Sequence, residues 1–408
     1  MKCGLLGRKL GHSYSPQIHS HLADYSYDLF EKEPEELGTF LRTGDFKGIN
    51  VTMPYKKDVI RYLDALSPIA RQLGAVNTIV RQSDGTLIGH NSDHFGFQTM
   101  VRKSGLDVSN KKCLVLGSGG ASNTAVHVLR DLGANVIVIS RNGDNNYQNL
   151  DHHKDAAVIV NATPVGMYPN NGQSPISLDH FPVLEGVLDL VYNPARTKLL
   201  MDAEKRGIVA ENGLLMLVAQ AKEAAEWFSG HPIHDHKIFD VHGILRCQME
   251  NIILIGMPGS GKSTLGTLLA EQFGKTFADT DSLIETTAGK PIPEIFAKHG
   301  ESGFRALETQ AVSQLGKQSG MVIATGGGCV TQEQNYPLLH QNGTIFWITR
   351  QLDKLPIDGR PLSISNGLNA LYIERKPLYE LWADHIIDND GSLAASIEQI
   401  MNALEVMQ

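Results

Sequence analysis

Two glycine-rich loops, each placed directly after a short apolar run, constrain the fold of this chain more than any other feature of its sequence. The first loop is Gly117-Ser118-Gly119-Gly120-Ala121-Ser122, after Cys113–Leu116. The second is Gly256-Met257-Pro258-Gly259-Ser260-Gly261-Lys262-Ser263, after Ile252–Ile255. A strand, a glycine turn and a helix in this order bring backbone amides against a phosphate group. The first loop is typical of a dinucleotide-binding turn and the second of a nucleoside-triphosphate site, so we expect hydride transfer in one half and phosphoryl transfer in the other.

The composition indicates the class of protein and its compartment. At 408 residues the chain exceeds one ordinary hydrophobic core, and its 42% apolar and 20% charged residues are typical of a soluble globular protein. Its net charge of −8 argues against non-specific binding to nucleic acid. Four scattered cysteines indicate free thiols in a reducing cytoplasm, and no secretory signal or membrane-spanning apolar run is recognised. We expect a cytoplasmic enzyme with small-molecule substrates and no nucleic-acid or membrane partner, whose oligomeric state is left open.

Short apolar strands alternate with polar helical stretches along the chain, which predicts an α/β fold. A doubly wound parallel sheet is expected around the first glycine loop, where the segment between Ile139 and Ala156 is too short for a crossover helix. The predicted domains are residues 1–92 with 214–248, residues 93–213, and residues 249–408. Four histidines of irregular spacing are interpreted as part of a solvated segment rather than a metal site: His231, His234, His236 and His242.

Polar residues in the first half indicate an oxidoreductase that uses NADP. The strand after the first glycine loop ends at Ser140-Arg141, and this pair suits a ribose 2′-phosphate, whereas an acidic residue would suit the free hydroxyl of NAD. Lys56 and Asp93 each follow a strand, so they can face one cleft and exchange the proton that accompanies hydride transfer to a ketone. For each residue alone, a solvated side chain or, for Asp93, a helix cap is the competing interpretation.

A series of motifs in one order gives residues 1–248 a family resemblance. The motifs are Gly11-His12-Ser13-Tyr14-Ser15-Pro16, Asn50 to Lys56, Ala75-Val76-Asn77-Thr78, Asn91-Ser92-Asp93, Gly117 to Ser122, Asn161-Ala162-Thr163-Pro164, Tyr192-Asn193-Pro194 and Met216-Leu217 through Gln220. In number and order they resemble shikimate dehydrogenase. The resemblance implies a substrate-binding domain and a Rossmann domain that binds NADP.

The same resemblance implies roles for individual residues, with Lys56 and Asp93 as the catalytic pair. The substrate would be held by Ser13, Ser15, Asn50, Thr52, Asn77, Asp93, Tyr192 and Gln220. The dinucleotide would be bound by Gly117, Gly119, Gly120, Ala121, Ser140, Arg141, Asn161, Thr163, Gly213 and Met216. The family often has a second basic residue after the Ser-Arg pair. Here that stretch is Asn142-Gly143-Asp144-Asn145, which leaves the strictness of the preference for NADP open.

The second glycine loop has the pattern Gly-x-x-x-x-Gly-Lys-Ser, a specific signature of a phosphate-binding loop. Backbone amides of Gly259, Ser260 and Gly261 would surround the β-phosphate, and Lys262 would neutralise charge on the β- and γ-phosphates. The hydroxyl of Ser263 would bind Mg²⁺.

Polar residues downstream of this loop indicate a site for a phosphoryl acceptor. Asp279 and Asp281 belong to the segment Phe277–Asp281, which follows the first helix as a second strand would, so one carboxylate can reach the magnesium shell and the next one along that face can bind an acceptor hydroxyl. Arg305 and Glu308 share a helical face, where the glutamate can hold the guanidinium for a substrate carboxylate, although a surface ion pair is the commoner case. Three consecutive glycines, Gly326–Gly328, indicate close approach of the backbone to a ligand.

These residues in this order resemble shikimate kinase over residues 251–408. The motifs are Asp279-Thr280-Asp281, Phe304-Arg305, Gly326-Gly327-Gly328, Gly359-Arg360-Pro361-Leu362 and Arg375-Lys376-Pro377-Leu378-Tyr379. The resemblance implies a P-loop domain of the nucleoside-monophosphate-kinase type with a parallel sheet. It assigns shikimate binding to Asp281, Arg305, Gly327 and Arg375, Mg²⁺ to Ser263 and Asp279, and ATP to Gly259, Ser260, Gly261, Lys262, Ser263 and Thr264. The catalytic residues would be Lys262, Asp281 and Arg360.

The segment that would form the kinase lid departs from the family. Relatives usually have an arginine upstream of the Arg-Pro-Leu run that stacks on adenine, whereas Leu352–Ile357 has none and Ser363–Leu371 is short. We therefore expect weak selectivity for the nucleotide.

Together the resemblances predict a bifunctional enzyme of aromatic amino acid biosynthesis. One half would reduce 3-dehydroshikimate to shikimate with NADPH, and the other would convert shikimate to shikimate 3-phosphate with ATP and Mg²⁺. Three alternatives stay open: a quinate dehydrogenase that prefers NAD, a kinase for another small polyol acid, and a chain in which one half is active and the other is a ligand-binding regulatory module.

Overall fold

The computed structural model describes residues 1–11, 13–355 and 367–406, which form an α/β structure with three sheets. The chain divides into two compact units. The N-terminal unit comprises Met1–Val165, Ser174–Tyr192 and Leu199–Ile244, and the C-terminal unit comprises Gly166–Gln173, Asn193–Lys198 and Leu245–Gln408. The three-domain division expected from the sequence stays a prediction. None of the helices in the described part of the chain is both long and apolar enough to cross a membrane.

The first sheet lies in the N-terminal unit and mixes parallel and antiparallel pairs. Its strands are β1 (Lys2–Gly7), β2 (Ser26–Glu31), β3 (Gly48–Val51), β4 (Ala65–Leu66), β5 (Thr78–Arg81) and β6 (Leu87–His90), in the order β2-β1-β3-β5-β6-β4. The helices beside it are α1 (Ser15–Leu22), α2 (Leu37–Thr43) and α3 (Pro68–Leu73), with 3₁₀ helices at Pro34–Glu36 and Asp58–Tyr62. β1 pairs in parallel with β2 and β3, whereas β5 is antiparallel to β3 and β6.

The second sheet, also in the N-terminal unit, is entirely parallel. Its strands are β7 (Lys112–Leu116), β8 (Asn135–Ile139), β9 (Val158–Asn161), β10 (Gly186–Asp189) and β11 (Val209–Glu211), in the order β11-β10-β9-β7-β8. The helices are α4 (Asp93–Ser104), α5 (Gly120–Asp131), α6 (Lys198–Lys205), α7 (Leu214–Ser229) and α8 (His236–Met249). Only 3₁₀ helix Leu150–His153 separates β8 from β9, in agreement with the short spacing. The strand order reverses at β7, where doubly wound sheets bind their ligands.

Helix α7 packs onto the first sheet. Phe228 and Ala224 of α7 form a buried cluster with Cys3 and Val80. A Cβ atom on Gly48 of β3 would lie 2.0 Å from the Phe228 ring, so only glycine permits this approach. This packing brings α7, which carries Gln220, beside the strands that carry the other predicted substrate-binding residues.

The third sheet lies in the C-terminal unit and is parallel throughout. Its strands are β12 (Asn251–Ile255), β13 (Thr276–Asp279), β14 (Met321–Ala324), β15 (Gly343–Thr349) and β16 (His385–Asp388), in the order β13-β14-β12-β15-β16. The helices are α9 (Lys262–Phe273), α10 (Thr280–Ala288), α11 (Ile292–Gly316), α12 (Asn335–His340), α13 (Leu368–Trp382) and α14 (Leu393–Val406), with 3₁₀ helices at Cys329–Thr331 and Leu352–Lys354. Every residue of β12 is buried, which explains its continuous apolar run.

The phosphate loop of the C-terminal unit is held by a residue far along the chain. Asn389, just after β16, donates from Nδ2 to the carbonyl of Ser260 at 2.7 Å and accepts from the hydroxyl of Ser396 at 2.8 Å. A Cβ atom on Gly261 would lie 2.5 Å from Asn389 Nδ2, and Gly261 has a φ of +97°. Both facts require glycine at that position.

Candidate active sites

An ion pair between Lys56 and Asp93 is the centre of the first site. Lys56 lies in the turn after β3 and Asp93 is the first residue of α4. Lys56 Nζ is 2.6 Å from Asp93 Oδ2, and the two side chains are 31% and 15% exposed. Ser92, not Asp93, is the N-cap of α4. The two residues are therefore neither a lone surface lysine nor a capping aspartate, and their catalytic roles stay a proposal.

Buried amide side chains lie on the strands and helix around this pair. Asn50 donates from Nδ2 to Thr78 Oγ1 at 3.1 Å, and Asn77 donates from Nδ2 to Ser92 Oγ at 3.0 Å. Ser92 Oγ in turn donates to Gln220 Oε1 at 3.3 Å, which links β5 to α7. Buried, hydrogen-bonded amides hold fixed orientations. Ser92 was not predicted as a site residue, although it lies within the Asn91-Ser92-Asp93 motif.

The remaining predicted substrate residues lie at the start of α1, after β3 and after β10. Ser15 donates its backbone N–H to Ser13 Oγ at 3.2 Å. The rings of Tyr14 and Tyr192 meet edge to face, with centroids 6.2 Å apart, and burial raises the pKa of Tyr192. Thr52 donates its backbone N–H to the carbonyl of Leu6 at 2.9 Å. His12, which belongs to the same motif as Ser13 and Ser15, lies outside the described residues.

The first glycine loop has room for a phosphate group. Gly117 has a φ of +105°, and Ser122 Oγ donates to its carbonyl at 2.6 Å. Cβ atoms added to Gly119 and Gly120 would meet nothing within 4 Å, and Ala121 is exposed. The backbone before and within the first turn of α5 is therefore open to a ligand, which fits a dinucleotide pyrophosphate.

Other predicted dinucleotide residues lie at the carboxyl ends of the same sheet. Asn161 Oδ1 accepts from Thr163 N at 3.0 Å and from Thr163 Oγ1 at 2.7 Å. Ser140 and the exposed Arg141 follow β8 directly. At Gly213 the backbone is too close to its neighbour for a side chain, since a Cβ atom there would lie 2.3 Å from the carbonyl oxygen of Leu190. Met216 packs against the core of the second sheet.

The phosphate loop of the C-terminal unit has the backbone that its sequence predicts. Gly259 and Gly261 adopt φ values of +83° and +97°. Lys262, 7% exposed, donates from Nζ to the carbonyls of Gly256 and Met257, each at 3.0 Å. Two further predicted ATP-binding residues differ in burial, since Ser260 is buried within the loop and Thr264 is exposed beside Ser263 on α9.

Ser263 and Asp279 are positioned as a pair. Ser263 Oγ donates to Asp279 Oδ2 at 2.6 Å, while Asp279 Oδ1 accepts from the backbone N–H of Asp281 at 2.9 Å and caps α10. A hydroxyl and a carboxylate next to a phosphate loop are the hard oxygen ligands that suit Mg²⁺. The two residues therefore fit a magnesium ion.

Two arginines from different helices face the same cavity. Arg305 of α11 donates from its two terminal nitrogens to Glu308 at 2.7 Å and to Glu301 at 3.1 Å. Arg375 of α13 is 3% exposed. Asp281 Oδ1, Glu308 Oε1 and Arg375 Nε are buried without a hydrogen-bond partner among the described residues. Such polar atoms mark where a polar ligand completes the site.

Two carboxyl groups of this site have raised pKa values. Burial, with the Asp279 carboxylate as a second cause, raises the pKa of Asp281 to about 6. Burial raises the pKa of Glu308 to about 7, and the charge of Arg305 opposes this rise. An Asp281 that titrates just below neutral pH can exchange a proton during turnover.

One cavity of about 330 Å³ joins these groups. The predicted residues that line it are Gly259, Lys262, Ser263, Asp279, Asp281, Arg305, Gly327 and Arg375. Its apolar wall includes Ile292, Phe296 and Phe304, which sequence analysis did not assign to the site. Arg360 lies outside the described residues. Lys354, upstream of it, is 3.3 Å from the Asp390 carboxylate.

Comparison with known proteins identifies both regions. Residues 5–79 match the family model of the shikimate dehydrogenase substrate binding domain, and residues 258–405 match that of shikimate kinase. The shikimate dehydrogenase (NADP(+)) of Clostridium perfringens (strain SM101 / Type A) is 33% identical over 267 residues, which are 60% of this chain and 98% of that relative.

Solved structures agree with these matches. Shikimate dehydrogenase 1 from Peptoclostridium difficile has a TM-score of 0.56 and 36% identity, covering 60% of this chain and 97% of that chain. Shikimate 5-dehydrogenase from Thermus thermophilus, in complex with NADP(H) and shikimate, has a TM-score of 0.54 and 30% identity, covering 59% of this chain and 98% of that chain. The chain therefore belongs to the shikimate dehydrogenase family through its N-terminal region and carries a shikimate kinase domain after it, as a shikimate-pathway enzyme with two activities.

Proposed function

We propose that the chain catalyses two consecutive reactions, the reduction of 3-dehydroshikimate to shikimate by NADPH and the phosphorylation of the 3-hydroxyl of shikimate by MgATP. The observation that carries the proposal is the cavity of about 330 Å³, in which a phosphate loop faces an acidic residue and two arginines. The Lys56–Asp93 pair at 2.6 Å supports the first reaction. The product of one site is then the substrate of the other.

In the reduction, bound NADPH supplies the hydride that forms the new C–H bond at the carbonyl carbon. Lys56 supplies the proton to the carbonyl oxygen, because its ammonium is held by Asp93 and remains partly accessible. The amide groups of Asn50, Asn77 and Gln220 form hydrogen bonds with the substrate hydroxyls. The contacts within the protein hold these amides in fixed positions. The open backbone at Gly119 and Gly120 would hold the pyrophosphate of the dinucleotide.

In the phosphorylation, bound MgATP supplies the phosphoryl group. Asp281 accepts the proton of the attacking hydroxyl, and Arg305 and Arg375 bind the carboxylate of shikimate. Lys262 stabilises the negative charge of the phosphates, while Ser263 and Asp279 would hold the magnesium ion. The buried Glu308 keeps Arg305 oriented toward the cavity.

Product identification tests both reactions in one sample. The purified chain is supplied with 3-dehydroshikimate and NADPH, first without and then with ATP and Mg²⁺. We expect shikimate in the first case and shikimate 3-phosphate in the second. Lys262→Ala should stop the reaction at shikimate without affecting its formation. If the wild-type chain performs only one of the two steps, the other half is a regulatory module and the proposal is wrong.

The choice of dinucleotide and of acid is tested separately. Arg141 is exposed after β8, where it can pair with the 2′-phosphate of NADP. We expect a higher kcat/KM for NADPH than for NADH, and Arg141→Ala should lower the value for NADPH only. Equal values for the two cofactors, or faster oxidation of quinate than of shikimate, would favour the quinate dehydrogenase alternative.

A further inference from the structure

Two histidines and an aspartate form a cluster that neither proposed reaction uses. His94 is the second residue of α4, and His127 and Asp131 lie on α5. His94 Nε2 and His127 Nδ1 lie 3.3 Å and 3.0 Å from the same oxygen, Asp131 Oδ2. All three ligand atoms lie within 4.8 Å of one another. In the described part of the chain this is the one group of three or more such side chains close enough to share a metal ion.

We propose that His94, His127 and Asp131 bind one first-row divalent cation, for which Zn²⁺ is the best-suited ion. Tetrahedral zinc with Zn–N distances of about 2.0–2.1 Å places neighbouring ligand atoms about 3.4 Å apart. Two of the three separations in the cluster are already close to this value. The third separation, between the two imidazole nitrogens, is at most 4.8 Å. Two imidazoles and one carboxylate are a donor set for zinc, copper or nickel rather than for magnesium.

Local structure explains why these side chains converge. Residues four apart share one face of a helix, so His127 and Asp131 project together from the last turns of α5. His94 reaches them from the first turn of α4, and its ring meets the ring of His127 edge to face with centroids 5.5 Å apart. The side chains of His94 and His127 are 15% and 24% exposed, and that of Asp131 is 49% exposed. This leaves one side open for entry of the ion and for a water as fourth ligand.

The competing interpretation is a pair of simple ion pairs. It requires each ring to donate an N–H to the Asp131 carboxylate, yet His127 Nδ1 is buried and forms no hydrogen bond among the described residues, although it lies 3.0 Å from Asp131 Oδ2. With neutral imidazoles, each ring offers one nitrogen lone pair, and a dication between the three groups accepts both of them together with one oxygen of Asp131. A bound metal ion also explains why all three side chains meet at one point. The His94–Asp131 and His127–Asp131 contacts, taken as separate ion pairs, need not occur together.

An ion at this position would connect two helices that the dehydrogenase reaction needs. α4 begins at Asp93, the partner of Lys56, and α5 begins at the open glycine loop. His94 lies next to Asp93, while the other two ligands lie at the opposite end of α5 from the glycine loop. The metal would therefore fix the first turn of α4 against α5 and act as a positioning group without contact to substrate.

Zinc binding to the full-length protein tests the proposal. The chain is treated with a chelator, exchanged into buffer with excess Mg²⁺ to occupy oxygen-rich sites, and titrated calorimetrically with Zn²⁺. We expect one Zn²⁺ per chain, and His127→Ala and Asp131→Asn should each weaken binding by at least about tenfold. His180→Ala is the matched control, because His180 lies 3.4 Å from Asp151 in a similar histidine–aspartate contact outside the cluster.

Thermal unfolding gives a second measurement that does not depend on activity. At one fixed Zn²⁺ concentration, the ion should raise the unfolding midpoint of the wild-type chain and of His180→Ala, and it should raise the midpoint of Asp131→Asn by clearly less. Circular dichroism of the metal-free variants verifies that they are folded. The proposal is overturned if the wild-type chain binds no Zn²⁺, if His127→Ala binds it as tightly as wild type, or if binding is lost instead when His231, His234 and His236 are replaced by alanine.

Discussion

At the scale of single residues, Lys56 is the side chain that we propose delivers the proton in the reduction, since Asp93 holds its ammonium at 2.6 Å. Lys56→Ala is expected to lower the dehydrogenase kcat by roughly 10²–10⁴-fold, the usual contribution of a positioned acid or base. Lys57 is exposed, so Lys57→Ala is the matched control. Initial rates with 3-dehydroshikimate and NADPH measure the loss. A Lys56→Ala rate within about threefold of wild type would contradict the assignment.

If Asp281 is the proton acceptor that we propose, the kinase reaction should depend on pH. Burial and the Asp279 carboxylate raise its pKa to about 6, and a proton acceptor must be ionised. The kinase kcat/KM is therefore expected to rise with pH through that value in the free enzyme. A profile of shikimate phosphorylation between pH 5 and 8 checks this. Because Asp279 adds to the shift, Asp279→Asn should move the rise of any residual activity toward lower pH, and a move upward would contradict the assigned cause.

The raised pKa of Asp281 also makes the stability of the C-terminal unit depend on pH. The folded pKa lies above the unfolded value of about 3.9, so the folded state is penalised once Asp281 is ionised. Its contribution to stability is full below the unfolded pKa and is lost as the pH rises through about 6. Asp281→Asn should thus raise the free energy of unfolding of the C-terminal unit by about 1–2 kcal/mol at pH 8 and by less at pH 5. Urea unfolding at both pH values measures the gain, with the exposed Asp353→Asn as control.

At the scale of secondary-structure elements, Asp279 connects two helices and has two separable tasks. One oxygen caps α10 and the other accepts from Ser263 at the start of α9. Asp279→Asn keeps an acceptor for the cap but removes the charge that would attract Mg²⁺, whereas Asp279→Ala removes both. We expect both variants to lose kinase activity and only the alanine variant to lose about 1 kcal/mol of stability. Kinase rates against Mg²⁺ concentration and urea unfolding separate the two tasks; equal stability losses would argue against the cap.

The secondary-structure elements also show how much of this structure the sequence alone predicts. The strands β7 and β12 are predictable because parallel strands buried on both faces form continuous apolar runs. The phosphate loop and the aspartates Asp279 and Asp281 follow from spacing, because their chemistry depends on neighbours in the chain. The apolar wall of the kinase cavity does not follow from spacing. Phe296 and Phe304 are ordinary apolar residues in the sequence, and their positions in the wall depend on the break in helical geometry at Gly300 between them.

Long-range convergence is the other part that sequence does not predict. His94 and His127 come together only through the packing of α4 against α5, so their separation in the chain gives no signal. Sequence analysis instead considered the histidines between residues 231 and 242, which are close in the chain. Likewise Ser92 becomes a link between β5 and α7 only because α7 returns to the first sheet.

At the scale of the whole molecule, the start of the C-terminal unit determines where the chain can be cut. Lys275 donates from Nζ to the carbonyls of Cys247, Gln248 and Glu250, all within this unit. A kinase fragment that starts at Met249 loses two of these three acceptors, and a fragment that starts at Leu245 keeps them. We expect the longer fragment to be more stable by about 1–3 kcal/mol, because the half-buried ammonium of Lys275 keeps two more of its acceptors there.

Denaturant unfolding of the two fragments measures this difference, and their shikimate kinase rates verify the fold. Lys275→Met provides the control. Without the ammonium, the carbonyls of Cys247 and Gln248 have no donor to satisfy, so the difference in stability between the two fragments should shrink. If both fragments have the same stability with Lys275 present, the hydrogen bonds from Lys275 to the carbonyls of Cys247 and Gln248 contribute nothing to the free energy of unfolding.

The contact between Asn389 and the phosphate loop has a consequence for the time at which each activity arises in the cell. Proteins are synthesised from the N-terminus, and early regions fold first. Every strand of the two dehydrogenase sheets precedes the phosphate loop, whereas Asn389 comes 129 residues after Ser260, the loop residue to which it donates. A nascent chain on the ribosome can thus complete its dehydrogenase sheets while its ATP loop still lacks the residue that fixes it. A ribosome that stalls late would release a reductase whose kinase half is unfinished.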